Sequence, residues 1–293
     1  MRTRFRLAGL ALVVLVGCGV GDSTTPDSPV ENLERASDHV GPNAFHFVAI
    51  GDWGTGYPVQ HTLGLRMCEL RRESPFDLVV TAGDNIYETG ARSDFEAKFY
   101  EPFKCLLRKG VQFRSSLGNH DLGTRNGRPE LNEPRFGMNG RNYVIREGGV
   151  RFVIADSNDL RRRWLRRALQ TEQGDRWTVV VFHHPVYSPS NDHPSEGDLR
   201  HTLPPLFEKT GVDLVINGHT HVYSVTEPLH KIRYVVTGGG SASPHTCNPR
   251  WYTERCIEEY HFLSISAGTE RISVVAIGPQ GQQIDRFRTA GRD

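Results

Sequence analysis

The chain has 293 residues, 37% hydrophobic side chains, 30 glycines, and 35 basic against 34 acidic residues. That is enough apolar material for one large core or two small ones, which excludes disorder over most of the length. A formal net charge of +1 leaves no electrostatic footprint for nucleic acid, so no nucleic-acid partner is expected.

Residues 1–6 carry Arg2, Arg4 and Arg6, and residues 7–17 are uncharged. This charged-then-apolar order is that of a secretory signal, and the apolar run is too short for a comfortable membrane span. It ends in Leu15-Val16-Gly17-Cys18, which resembles the lipobox of bacterial lipoproteins. The resemblance implies removal of residues 1–17, lipidation of Cys18, and an exported protein anchored to a membrane, periplasmic or at the cell surface. Loss of three arginines leaves 35 − 3 = 32 basic against 34 acidic residues, a net charge of −2. Residues 21–43, rich in Ser, Thr, Pro and Asp, read as a flexible tether, so segment 18–43 is expected to link the lipidated cysteine to one folded domain over 44–293.

Within that domain, apolar runs at 47–50, 78–81, 152–155, 179–182 and 214–216 read as strands buried on both faces. Between them, 59–72, 93–103, 160–170 and 198–209 have helical character, and such alternation predicts a layered α/β fold. After about Val222 the pattern turns to strands alone, at 234–236, 262–265 and 272–277, which fits a mixed sheet with late antiparallel hairpins. No repeat of solenoid or propeller length is present. Four cysteines lie in the body, Cys68, Cys105, Cys247 and Cys256, an even number compatible with disulfides in an exported chain and open to three pairings. Cys247 and Cys256 bracket a short polar segment and could close a loop, leaving Cys68 with Cys105; four free thiols is the alternative.

The chemistry-bearing residues follow the predicted strands. Ile50 leads into Gly51-Asp52-Trp53-Gly54, Ala82 into Gly83-Asp84-Asn85-Ile86-Tyr87, Leu117 into Gly118-Asn119-His120-Asp121, Phe182 into His183-His184, and Asn217 into Gly218-His219-Thr220-His221. Strand ends that open on one edge of an α/β sheet gather such side chains around one crevice. Carboxylate, amide and imidazole donors together suit Zn, Mn or Fe rather than a thiolate-bound metal. Each motif alone is more simply a turn, a cap or a core histidine; five in order at strand ends are not.

This ordered set resembles the calcineurin-like metallophosphoesterases, whose motifs read Gly-Asp, Gly-Asp, Gly-Asn-His, a histidine after a strand, and Gly-His-x-His. Most branches of that superfamily carry Asp-x-His first, where this chain has Asp52-Trp53-Gly54. The second motif resembles the Gly-Asp-x-x-Tyr of purple acid phosphatases, and the length is similar to that of the small, single-domain mammalian-type members. The resemblance implies a four-layer α/β/β/α sandwich with two mixed sheets and a binuclear centre. Asp52, Tyr87 and His221 would bind the first metal, Asn119, His183 and His219 the second, and Asp84 would bridge. Phenolate is a hard anionic donor, so Fe(III) is the expected first metal, with Fe(II), Zn or Mn second.

The implied reaction is acid hydrolysis of small phosphomonoesters. Two ions clamp the phosphate and lower the pKa of a bound water to give the attacking hydroxide, while His120, assisted by His193, protonates the leaving oxygen. A phosphodiesterase or nucleotide hydrolase of the same superfamily is the alternative, because loops rather than the metal core choose the substrate. A surface-anchored binding protein without catalysis is a more distant one.

Other signals are read as structural. Arg161, Arg162, Arg163, Arg166 and Arg167 form a solvated helix face, with Trp164, Leu165 and Leu169 as core contacts. Gly238-Gly239-Gly240 lacks the Lys-Ser/Thr of a P-loop and marks a tight turn that could line the pocket. His184, next to His183 on a strand, should point to the opposite side.

Overall fold

Alternation along the first strand, β1 (Phe45–Ile50), sets up the layers: Phe47 and Ala49 enter one core, Val48 and Ile50 another. The computed structural model describes residues 44–170 and 174–289. The expected signal, Cys18 and the tether lie outside these residues. Among the described residues no helix is long and apolar enough to cross a membrane.

Two sheets are built. In the first, β1 pairs in parallel with β2 (Leu78–Thr81), and β2 with β3 (Gln112–Ser115). Antiparallel β11 (Phe262–Ala267), β12 (Ile272–Ile277) and β13 (Gln283–Arg288) continue it, giving the order β13-β12-β11-β1-β2-β3. The second sheet runs in parallel through β5 (Val150–Ile154), β6 (Trp177–Val181), β7 (Leu214–Asn217) and β9 (Arg233–Thr237). Antiparallel β4 (Tyr143–Glu147), β8 (Tyr223–Thr226) and β10 (Thr253–Ile257) complete the order β10-β8-β9-β7-β6-β5-β4.

The sheets face each other across a core containing Phe47, Val80, Phe152, Val181, Ile216 and Ile265. Helix α1 (Pro58–Glu73) and helix α2 (Glu101–Arg108) cover the outer face of the first sheet through Leu63, Met67, Phe103 and Leu106. A short α3 (Arg128–Leu131) lies on the way to β4. Helices α4 (Arg162–Gln170) and α5 (Gly197–Thr210) cover the second sheet through Leu165, Leu169, Leu203 and Phe207. The four-layer sandwich expected from the sequence is the architecture observed. The arginines of α4 are exposed, as anticipated.

One helix departs from expectation. The stretch read as a helix over 93–103 is wound in three ways, a 3-10 turn at Arg92–Asp94, a π turn at Glu96–Tyr100, and then α2, which runs on to Arg108. Pro102 explains the change, because it has no N–H to give to the carbonyl of Lys98. Gln60 of α1 donates its Nε2–H to that carbonyl instead, at 2.5 Å. Cys68 of α1 is bonded to Cys105 of α2, with Cα atoms 6.2 Å apart, and Cys247 to Cys256, at 6.0 Å.

Candidate metal centre

The parallel strands β1, β2, β3, β6 and β7 all end at one rim, and each delivers a polar loop there. Asp52, Asp84 and His219 sit in these loops with φ of 56°, 49° and 67°, a left-handed backbone that costs a non-glycine residue on the order of 1 kcal/mol. The turns are held by a lattice of backbone bonds. Asp52 N–H donates to the Gly83 carbonyl at 3.0 Å, and the Asp52 carbonyl accepts from Ser241 at 2.9 Å and Ala242 at 3.1 Å. The glycine run 238–240 lies in this lattice, Gly240 N–H meeting the Gly51 carbonyl at 3.0 Å. Trp53, fully buried, anchors the loop among aromatic rings, 5.1 Å from Phe103 and 5.6 Å from Phe99.

All seven residues expected as ligands converge, in two sets. Tyr87 Oη is 3.3 Å from Asp52 Oδ1 and 3.1 Å from His221 Nε2, which is itself 3.4 Å from Asp52 Oδ1. In the other set, Asn119 Oδ1 is 3.0 Å from His183 Nε2 and 3.1 Å from His219 Nδ1, with the two ring nitrogens 3.3 Å apart. Asp84 Oδ2 stands 3.4 Å from His183 Nε2, and Asp52, Asp84 and His183 offer ligand atoms all within 4.8 Å of one another.

This donor set fits metal ions. Donors held about 2.1 Å from one ion stand roughly 3.0–3.4 Å apart in octahedral or tetrahedral arrangements, the spacing found within both sets. His183 Nδ1 meets the Ala82 carbonyl at 2.8 Å and His221 Nδ1 the Ser243 carbonyl at 3.0 Å. A carbonyl only accepts, so each neutral ring carries its proton on Nδ1 and turns the Nε2 lone pair inward. Lone pairs of imidazole, amide and carboxylate thus meet without enough protons to separate them.

The electrostatics describe the same demand for positive charge. Burial opposes a charge on His183, yet the adjacent Asp84 carboxylate pushes its pKa up to about 10. Burial likewise disfavours ionised Asp84, but His183 and then His120 hold it well below the usual carboxylate range. Burial, followed by the charges of Asp52 and Asp84, lifts the Tyr87 phenol far above its ordinary value; ionisation there requires a cation alongside. His219 is depressed to about 2, by burial and by the neighbouring imidazoles of His183, His184 and His193.

The first motif's missing histidine has a steric counterpart. A Cβ at Gly54 would lie 1.7 Å from the backbone oxygen of Asn85. The strand-end loop carrying Asp84 and Tyr87 therefore packs directly on bare backbone, and Tyr87 N–H donates to the Gly54 carbonyl at 2.9 Å. Gly118 is pressed in the same manner, with a Cβ falling 2.1 Å from Asp84 Oδ1.

Around the donors stand further imidazoles. His120 gives its backbone N–H to Asp84 Oδ1 at 3.0 Å, sets Nδ1 on the Glu88 carbonyl at 2.9 Å, and lies 4.5 Å from the Tyr87 ring. His193 packs its ring 4.7 Å from that of His219. His184 departs from the expectation that it would point away. Strand β6 ends at Val181, so side-chain alternation does not reach the pair. The His184 ring lies 5.1 Å from His183 and 4.5 Å from His219, with Nδ1 on Ser157 Oγ at 2.8 Å.

Two features escaped the sequence reading. His245, on the loop after β9, stacks 4.0 Å from His221 and 4.5 Å from His193, and its Nδ1 accepts the His221 N–H at 3.1 Å. No strand end or motif marks it. Asp121, fully buried, accepts from the backbone N–H groups of Asn85, Ile86 and Gly118 at 2.8, 3.0 and 2.7 Å, tying the Asp84 loop to the Asn119 loop. Its place at the end of Gly-Asn-His-Asp was the available signal. Burial and Asp84 raise its pKa to about 7.

Comparison with known proteins agrees with this architecture. The calcineurin-like phosphoesterase family matches residues 45–223. Purple acid phosphatase 4 of Arabidopsis thaliana is 25% identical over 333 residues, covering 99% of this chain and 97% of its own. Among solved structures, the purple acid phosphatase PPD1 from yellow lupin (Lupinus luteus) seeds superposes with a TM-score of 0.72 at 19% identity, over 85% of this chain and 54% of that one. GAP50, described as the anchor in the inner membrane complex of Plasmodium, superposes at 0.73 and 18%, over 85% and 90%. The chain belongs to the calcineurin-like phosphoesterase family, counts purple acid phosphatases among its relatives, and is a metal-dependent phosphatase.

Proposed function

We propose that this phosphatase is binuclear and hydrolyses phosphomonoesters at acid pH. Asp52, Tyr87 and His221 would hold Fe(III), Asn119, His183 and His219 would hold Fe(II), Zn or Mn, and Asp84 is shared. The observation that carries this reading is the pair of three-donor sets, each spaced at 3.0–3.4 Å, with Asp84 beside them. Ions held there supply Lewis acidity to the phosphoryl group and to an attacking water. The chain's own residues do the rest. The Nδ1 contact of His120 with the Glu88 carbonyl leaves Nε2 as the nitrogen that can hand a proton to the departing alcohol as the P–O bond breaks. His193, over the His219 ring, assists. Asp121 positions both ligand loops without meeting the substrate.

An exported, lipid-anchored location through Cys18, with 44–293 as the catalytic domain, is part of the proposal and is supported by the charge and apolar pattern of residues 1–18. The test is Asp84→Asn, assayed for metal content and for turnover of a small phosphomonoester and the matching diester. We expect wild type to favour the monoester, and the variant to lose metal and at least about a hundredfold in rate, near 2.7 kcal/mol of barrier. Full turnover in Asp84→Asn would refute the assignment.

A further inference from the structure

Beside the metal centre, and sharing a wall with it, lies a cavity of about 380 Å³ lined by Ser188, Ser195, Arg200, Arg250, Trp251 and Tyr252, among others. The shared wall is the loop that carries His193. Ser188 Oγ donates to the His193 carbonyl at 2.5 Å and meets Thr220 Oγ1, between His219 and His221, at 3.0 Å. Ser195, two residues past His193, accepts the Ser188 N–H at 2.7 Å.

The far wall is the short loop closed by Cys247–Cys256. It is fixed to the His193 loop at several points. Asn248 N–H donates to the Pro189 carbonyl at 2.6 Å, Asn191 Nδ2 to Asn248 Oδ1 at 3.0 Å, and the Tyr252 hydroxyl to the Ser188 carbonyl at 2.6 Å. The cavity is therefore held open by covalent and hydrogen-bonded structure.

Its chemistry is specific. Among the described residues none that lines it is a carboxylate, while two guanidiniums border it. Arg200 lies over the rings of Tyr252 and Tyr187, at 5.0 and 5.8 Å, and Arg250 reaches Asn191 Oδ1. These contacts orient the guanidiniums without neutralising them, the condition under which arginine binds a carboxylate or phosphate most strongly. Trp251 is 75% exposed, whereas Trp53 and Trp177 are buried. A tryptophan presented at the edge of a pocket offers a flat apolar face for which the fold itself has no use.

We infer that this cavity is the subsite for the alcohol part of the substrate, and that it selects phosphomonoesters whose alcohol is a planar ring carrying a second anionic group. The ring lies on Trp251 and the anion meets Arg250 and Arg200. This rests on the phosphatase reading, and the test separates the two. Metal-loaded wild type, Arg250→Gln and Trp251→Phe are assayed with 4-carboxyphenyl phosphate, phenyl phosphate and glycerol 2-phosphate. Each is also titrated with the non-hydrolysable 4-carboxyphenylphosphonate while tryptophan emission is followed.

The kcat/KM ratio of 4-carboxyphenyl to phenyl phosphate should fall about tenfold in Arg250→Gln, with the phosphonate Kd rising about tenfold, the equivalent of one charge-assisted hydrogen bond. Quenching by the phosphonate should be lost in Trp251→Phe. If ratio and Kd stay within twofold of wild type and Trp251 emission does not respond, the subsite is refuted. If the phosphonate behaves as expected but no ester is turned over, the subsite stands and the phosphatase reading falls.

Discussion

In the proposed centre Tyr87 takes the place of the histidine that most branches of the superfamily carry where this chain has Gly54, and Gly54→Ala probes that exchange. The added Cβ would sit 1.7 Å from Asn85 O and 2.7 Å from Ile86 Cα. Non-bonded atoms settle near 3.5 Å, so the backbone at Asn85 must retreat by more than about 1 Å. Asp84 and Tyr87 flank that point, and coordination tolerates only about 0.2 Å of error. The variant should lose metal before it loses its fold. Overpacking of this kind costs about 3 kcal/mol, which for a domain of this size is a fall in Tm of roughly 6–12 °C. Calorimetry with chelator present reads the fold, and metal analysis reads the site. Gly197→Ala, where a Cβ meets nothing within 4 Å, serves as control and should shift stability by less than about 0.5 kcal/mol. A Gly54→Ala protein with wild-type Tm and full metal content would refute the steric account.

Two further predictions concern stability. His261 is completely buried between the Glu259 carbonyl and Thr237 Oγ1, and burial lowers its pKa from 6.5 to about 4. The unfolded chain then takes up this proton first as pH falls, so stability is lost below pH 6.5; from pH 7 to pH 5 the loss is about 2 kcal/mol, and a His261→Gln variant should show a correspondingly flatter urea profile. Equal profiles would show that His261 titrates freely in the fold. Cys68 and Cys105 are 37 residues apart, and closing a loop of that length stabilises by about 4 kcal/mol in the chain-entropy account. The double serine variant should lower the urea midpoint accordingly, and an unchanged midpoint would contradict the contribution.

The layers of the fold were legible because their strands are buried on both faces and read as apolar runs. The weaker strands were not: β3, β4, β8, β10 and β13 lie at or near sheet edges, and their mixed sequences, such as Gln112–Ser115 and Thr253–Ile257, carry no clean apolar run. The winding of 92–108 is not legible locally, because the Lys98 carbonyl that Pro102 leaves without a helical donor is satisfied by Gln60, remote in sequence. At the site, strand-end motifs exposed the donors, but His245 belongs to no motif and reaches His221 only because the loop after β9 folds back over the rim. His184 lies three residues past the end of β6, where period-two alternation no longer sets the direction of a side chain.

The central claim is that Tyr87 is a metal ligand opposite Asp52 and His221. The most direct test is the visible absorption spectrum of the iron-loaded protein, with metal analysis, compared between wild type and Tyr87→Phe. A phenolate-to-iron(III) charge-transfer band in wild type that vanishes in the variant is the predicted result. Iron-loaded wild type without that band would contradict the account.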